Sequence, residues 1–348
     1  MSSNGARQNP VMADVARVAG VSHQTVSRVL NDHPNVRPAT RERVLAAIEQ
    51  LGYRRNSSAR ALVTRRTQTL GVVAFDTRQY GPASTLLGIE QAAREAGYFV
   101  SIVSLKAVSP QAVREALDYL TEQSVDGFIV IAPQRSAAEA LAYIPTSLPA
   151  VAVEGGQADD MPVVCVDQHG GTTAAVRHLL GLGHRTVWHV AGPSEWLEAE
   201  ARLEGWRAAL RAAGAAAPEP LYGDWSPRSG YAAGRRLAER VGGSDGPTAV
   251  FVANDQMALG LLRAFGERGI RVPEQISVVG FDDIPEAEFF SPPLTTVYQD
   301  FAAVGRRGMR LLLDQIDGGA GRATGLPRVV VPARLVVRSS TAPAAGTG

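Results

Sequence analysis

Apolar positions change their spacing twice along the chain, and each change marks a boundary. From Val11 to Leu51 they recur at helical intervals. A first pattern runs from Met12 to Val18, Ala19-Gly20-Val21 makes a turn, and a second pattern runs from Ser22 to Leu30. Ser22 is suited to an N-cap because its hydroxyl can accept an otherwise unpaired backbone N–H. Val26, Val29 and Leu30 stand at i, i+3 and i+4, so they share one helix face and can pack with Ala16 and Val21. Two short helices around a Gly-containing turn predict a helix-turn-helix. Pro38 opens a third helix at a position where a missing N–H is harmless, Val44, Ile48 and Leu51 form its face, and Gly52 closes it.

Tyr53 to Thr69 breaks the pattern, being basic and almost free of bulky apolar residues. A helix through Ser58 to Leu62 is far shorter than the ~12–15 residues an isolated helix needs in water, so it should form only when held. Ala59 and Leu62, at i and i+3, suit a helix lying in a minor groove with a leucine wedge; the plainer reading is an interdomain linker.

From Leu70 short apolar runs alternate with helical stretches. The runs are 70–75, 99–105, 127–132 and 149–154, then 162–167, 186–192, 220–222, 248–255 and 276–283. Helical patterns fall between them, at 84–96, 110–123 and 136–143 and then at 170–182, 198–213, 228–241 and 256–268. Alternation of this kind predicts parallel sheets in an α/β arrangement, here two doubly wound subdomains. A late helix at 301–316 and a long extended run at 327–340 suggest that the chain crosses back between them. The division expected is a helix-turn-helix domain at 1–52, a linker or hinge helix at 53–69 and a core at 70–341. Within the core, one subdomain takes about 70–161 and 298–326 and the other about 162–297 and 327–341, leaving a disordered tail at 342–348.

Charge sharpens this division. The net charge of the 348-residue chain is only +1, but residues 1–66 hold eleven Arg against four acids and carry +7, leaving −6 on the rest. A basic head on a mildly acidic body implies that the head alone meets a polyanion. Gln24 and Arg28 lie opposite the packed face of their helix, and their two-pronged amide and guanidinium suit adenine and guanine edges in a major groove. His23 lies at the helix start, Ser22, Thr25 and Ser27 supply hydroxyls suited to phosphate, and Asn31 closes the set.

A single cysteine, Cys165, allows no intrachain disulfide and fits a reducing compartment. There is no secretory h-region and no run near the ~18–20 apolar residues of a membrane span, so a cytoplasmic protein without a membrane partner is expected. No G-x-G-x-x-G follows a strand, no phosphate loop occurs, and the six histidines are scattered, so neither a nucleotide cofactor nor a metal site has support. Glu154, Asn254-Asp255-Gln256 and Asp282-Asp283 stand at strand ends, the side of an α/β sheet that faces a ligand crevice. They can serve as acid/base groups, as acceptors for sugar hydroxyls or as helix caps; without a nucleophile nearby, hydroxyl binding is favoured over catalysis. Trp225 beside such groups suits a sugar face, and suits a core position equally.

The stretches DVARVAGVSHQTVSRVLN, RPATRERVLAAIEQLGYRRN, ARLEGW, GDWS, VANDQMALG, ISVVGFDD and PPLTTVYQDF resemble the LacI/GalR family of bacterial transcription regulators over about residues 10–341. The resemblance implies a helical head on a periplasmic-binding-protein-like core, and a repressor whose grip on a palindromic operator is lowered by a small sugar inducer, a galactoside or related pyranoside. It implies that His23, Gln24 and Arg28 read bases and that Leu62 enters the minor groove. It places Arg202, Trp225, Asn254, Gln256, Asp282 and Phe301 in or beside the effector pocket, with Glu154 at an aspartate position. Arg202 and Asp282 would hold hydroxyls, and Trp225 and Phe301 would cover the ring. The departures are His23 for a tyrosine, Ile131 for an asparagine, Cys165 for a phenylalanine and Glu198 for a serine-like residue. With no C-terminal leucine heptads, a homodimer is expected. The alternatives are a regulator that uses a corepressor or activates, a sugar-binding protein without a DNA role, and a carbohydrate enzyme.

Overall fold

A computed structural model describes residues 10–53, 66–105, 109–144, 148–154, 156, 161–318 and 327–344. The chain divides into two compact units, Met1–Thr67 and Gln68–Gly348. Ala59 and Leu62 lie outside the described residues.

In the first unit the helices are α1 (Met12–Ala19), α2 (His23–Leu30) and α3 (Pro38–Leu51). Gly20, at φ 62°, ends α1 in the left-handed conformation that glycine adopts without a Cβ clash. The Ser22 hydroxyl then accepts the Thr25 N–H at 3.2 Å and starts α2. Val15, Ala16, Ala19, Val26, Val29, Val44 and Ala47 are buried together, with Leu30, Ile48 and Leu51 packed on them. Tyr53 joins this core, a contact the basic character of its neighbours concealed.

The second unit opens with β1 (Thr69–Phe75), α4 (Tyr80–Glu95), β2 (Phe99–Leu105), α5 (Pro110–Glu122), β3 (Gly127–Ile131), α6 (Arg135–Ala140), β4 (Ala150–Val153) and β5 (Val163–Val166). It continues with α7 (Gln168–Gly181), β6 (Trp188–Ala191), α8 (Leu197–Ala212), β7 (Leu221–Tyr222), α9 (Pro227–Ala238), β8 (Ala249–Val252), α10 (Asp255–Glu267) and β9 (Ser277–Val279). The last elements are β10 (Thr296–Gln299), α11 (Phe301–Gly318), β11 (Arg328–Val331) and β12 (Ala333–Val336). No described helix is long and apolar enough to cross a membrane.

The first sheet is parallel throughout, in the order β2-β1-β3-β4-β5-β11. One face packs on α4 and α11 through Ile89, Val304, Met309 and Leu312; the other packs on α5 and α6 through Val113, Leu117, Leu120 and Ala137. The helices α4 and α11 meet at two glycines, where a methyl added at Gly305 would overlap the Gly88 backbone. The second sheet runs β7-β6-β8-β9, also parallel, and continues into the antiparallel pair β10-β12 through the bridges Val279–Thr295 and Asp282–Tyr298.

The expected subdomain boundary moves. Residues 162–167 and the start of the 327–341 run, expected in the second subdomain, form β5 and β11 of the first sheet. Runs buried on both faces carry no alternation to say which sheet they join. The chain crosses to the second half after β5, returns after β10, and crosses again at Pro332, which has no N–H to continue a ladder. The tail expected to be disordered is seated as far as Ala344. Ala342 N–H donates to Ser277 Oγ at 3.0 Å, Ala344 N–H donates to the Leu182 carbonyl at 2.9 Å, and Thr341 Oγ1 pairs with His178 Nε2 at 3.0 Å.

Candidate functional site

On α2 the side opposite the buried Val26 and Val29 presents His23, Gln24 and Arg28 to solvent. Ser22 and Asn31 are exposed at its two ends, while Thr25 and Ser27 are half-buried. The hydroxyls are partly engaged: Ser22 Oγ and Thr25 Oγ1 lie 2.9 Å apart, and Asn31 Nδ2 donates to Ser27 Oγ at 3.4 Å. The face therefore offers three long polar side chains on a helix fixed by its own cap and core.

In the second unit, strand carboxyl ends from both sheets meet at one cavity. The loop after β1 and the start of α4 bring Gln79, Tyr80, Gly81 and Pro82; the second half brings Trp196, Glu198, Arg202, Trp225, Asn254 and Asp282. These are the crevice positions an open α/β sheet offers at a switch in strand order, between β1 and β3 in the first sheet and between β6 and β8 in the second. On one side of the cavity the halves are clasped by backbone. Arg135 N–H donates to the Glu195 carbonyl at 3.0 Å, Leu197 N–H donates to the Pro133 carbonyl at 2.9 Å, and Arg135 pairs with Glu200 at 2.7 Å.

The floor is a closed polar circuit. Arg202 Nε donates to Gln168 Oε1 at 2.9 Å, Gln168 Nε2 to Gln299 Oε1 at 2.8 Å, and Gln299 Nε2 to Asp282 Oδ1 at 2.8 Å. Asp282 Oδ1 lies 3.5 Å from Arg202 Nη2 and so completes the ring. Arg202 Nη1 also donates to the Ala253 carbonyl, and the guanidinium lies 3.9 Å from the centre of the Phe281 ring. A guanidinium is held this way because its fork makes several directed bonds at once. Asp282 Oδ2 accepts no hydrogen bond among the described residues, which leaves it available to a ligand hydroxyl.

Trp225 and Trp196 form the apolar wall, edge to face at 5.7 Å. Asn254 acts as a cap and a brace: Oδ1 accepts the Met257 N–H at 2.9 Å, and Nδ2 donates to the Trp225 carbonyl at 3.1 Å and to Gln256 Oε1 at 3.0 Å. Of the three roles open to Asn254 in the sequence, its bonds are those of a helix cap. Gln256 orients Asn254 rather than lining the cavity, and Phe301 stands behind Tyr80 at 6.0 Å, edge to face. Asp255 is equally structural, accepting Ile284 N–H at 3.0 Å and Thr296 Oγ1–H at 2.6 Å; Asp283 accepts from Arg338 at 2.7 Å. Gln168, Gln299, Trp196, Gln79 and Tyr80 were not singled out by the sequence; the available signal was that each stands beside a strand end. Glu154, Trp225, Asp282 and Asp283 all have positive φ, at 58°, 71°, 111° and 51°. Strain at non-glycine residues collects where a site requires a particular side chain.

Burial raises the acids. Glu154 is pushed up to about 8, first by burial and then by the neighbouring charge of Glu198, while the Val166 N–H at 2.8 Å opposes the rise. Burial also raises Glu198 and pushes Asp282 up to about 7 against the pull of Arg202. Burial beside Glu154 pushes the Cys165 thiol up to about 11, so Cys165 is an inert apolar filler. In the core of the second half, burial depresses His189 to about 4.

These shifts fix the sign of a pH effect. Glu154 and Asp282 keep protons in the fold that the unfolded chain releases from 4.5 and 3.8 upward. Their stabilisation is complete below those values and is lost as pH rises through about 8 and about 7. His189 works oppositely, stabilising above 6.5 and losing that contribution as pH falls toward about 4. Above pH 6.5 only the acids act, so the effector-free protein should melt at progressively lower temperature between pH 6.5 and 8.5. Glu154→Gln should flatten that slope in differential scanning calorimetry; an unchanged slope would mean that Glu154 is already ionised at neutrality.

A helix-turn-helix joined to a two-lobed ligand-binding core defines a ligand-responsive DNA-binding regulator. Residues 11–56 match the family of bacterial regulatory proteins, lacI family, and residues 176–341 match the periplasmic binding protein-like domain. The chain is 38% identical to the HTH-type transcriptional regulator CelR of Thermobifida fusca, over 96% of this chain and 99% of that protein. It superposes on the lac repressor dimer bound to operator and an anti-inducer with a TM-score of 0.82 at 33% identity, covering 96% of this chain and 100% of that one. A CelR–cellobiose complex gives a TM-score of 0.67 at 34% identity, covering 95% of this chain and 99% of that one. The chain belongs to the LacI family of transcriptional regulators, with an effector-binding domain following its DNA-binding head in sequence.

Proposed function

We propose that the protein is a homodimeric repressor that holds a palindromic operator and releases it when a small sugar enters the cleft between the two halves of its core. The observation that carries this is the cavity itself: a wall of two tryptophans beside a circuit of Arg202, Gln168, Gln299 and Asp282 from the second half, faced by Gln79 to Pro82 of the first. Aromatic rings cover the C–H face of a sugar while carboxylate, amide and guanidinium take its hydroxyl edge. The relatives support the class of ligand, since the CelR structure is a cellobiose complex. A galactoside or another pyranoside both fit this chemistry.

His23, Gln24 and Arg28 read the half-site, with Ser22, Thr25, Ser27 and Asn31 beside them, and Ala59 and Leu62 extend the contact into the minor groove. Exposed apolar side chains support a dimer: Phe99 (74% exposed) and Ile102 on β2, Leu87 on α4 and Leu259 on α10. A sugar shifts the switch only by the difference in its affinity for the two states, typically ~1–3 kcal/mol of coupling.

The test is operator affinity by fluorescence anisotropy, with and without lactose, simple galactosides and cellobiose. The expected result is operator binding that weakens about 5–150-fold with at least one sugar, the range that coupling implies. Tighter binding with sugar would establish a corepressor instead. If the sugars leave operator affinity unchanged, the sugar-induced reading fails.

A further inference from the structure

Glu198, in the first turn of α8, lines the cavity, is 9% exposed, and makes no hydrogen bond or ion pair among the described residues. Glu154, after β4 on the other half, is 8% exposed, accepts the Val166 N–H at 2.8 Å and does not line the cavity. The buried guanidinium of Arg202 is already committed to Gln168, the Ala253 carbonyl and Asp282. With Glu198 the cavity is lined by Trp196, two residues before it, and by Trp225, whose indole Nε1–H is buried without an acceptor among the described residues. Tyr80 closes the opposite side, near enough to feel the charges of Asp282, Asp255 and Asp283.

A buried carboxyl without a counter-charge keeps its proton, and a bound cation lets it ionise and form a charge-assisted pair. Tryptophan faces attract ammonium groups, and an ammonium carries three N–H donors, enough to serve one carboxylate and two further acceptors. We infer that the cleft selects a sugar bearing a free amine, whose ammonium pairs with Glu198 while its ring rests on Trp196 and Trp225. The orphaned indole N–H then finds a hydroxyl acceptor on the same ligand, and Asp282 takes another hydroxyl. Sugar acids and sugar phosphates are disfavoured by the same carboxylates. This inference rests on the sugar-effector reading and narrows it.

Isothermal titration of the full-length protein tests it with glucosamine and galactosamine, the parent hexoses, their N-acetyl forms, and the glucosamine dimer chitobiose against cellobiose. Operator anisotropy is measured on the same panel. The free amines should bind at least about tenfold tighter than their neutral counterparts, a difference of about 1.4 kcal/mol. In Glu198→Gln the ratio of amine to neutral affinity should collapse to near unity. The wild-type panel decides the matter even if that variant folds poorly. Neutral sugars binding as tightly as the amines, or an amine preference that survives Glu198→Gln, would overturn the amine inference and leave the sugar reading intact. Silence from every sugar in both assays would overturn both.

Discussion

Arg202→Ala should lower the melting temperature of the core by on the order of 10 °C and abolish any effector response. The arginine is buried with Asp282 at 3.5 Å, their side chains 3% and 8% exposed. Removing one partner of such a pair typically costs ~3–5 kcal/mol, because the other charge stays in a low-dielectric site. Each kcal/mol moves the midpoint by ~2–4 °C in a domain of 150–250 residues. The loss should be smaller at low pH, because Asp282, already pushed up to about 7, takes a proton and needs no counter-charge. Arg202→Lys keeps the charge but not the fork, so it should recover part of the stability and little of the ligand response. Scanning calorimetry at pH 6 and pH 8 reads both points. A shift of less than ~2 °C at pH 8, under one kcal/mol on the same scale, would show that the circuit contributes little.

Gly305→Ala comes next in size, and two effects of opposite sign decide it. Alanine in a helix interior is favoured over glycine by ~1 kcal/mol. Against that, the new methyl would overlap the Gly88 backbone across the α4–α11 crossing, and backbone has no rotamer with which to give way. Overpacking typically costs ~1–3 kcal/mol and more when nothing can yield, so the net change should be destabilising. It should also loosen the cavity wall, because Phe301 at the start of α11 backs Tyr80. Gly266→Ala on α10 is the control: nothing lies within 4 Å of its added methyl, so only the propensity gain remains. Urea unfolding of the pair should give opposite signs. If both variants are stabilised, the helices can separate at little cost.

The elements were readable because burial leaves a period: Val26, Val29 and Leu30 on α2 and the apolar runs of the strands show it directly. Sheet membership was not, because β5 and β11 are uniformly apolar and nothing local distinguishes one buried sheet from another. The site was half legible. Arg202, Trp225, Asn254 and Asp282 do line one cavity, as family resemblance implied. Gln168 and Gln299 were missed because their contact spans 131 residues and an isolated glutamine carries no pattern. The positive φ values at Glu154, Trp225 and Asp282 were invisible because the usual marker, glycine, is absent there.

The three passages of the chain between the two halves of the core have a consequence for inheritance and for engineering. The head is one contiguous segment, so it can be exchanged between proteins with a single join, and a new DNA target can be fitted to an old sensor. Neither half of the core can be moved that way, because each is assembled from separated stretches that meet at Asp167, at Asp300 and at Pro332. A graft of one half needs three simultaneous joins in register. New effector specificity in this architecture is therefore reached by changing side chains within the cleft, while new operator specificity can be acquired whole.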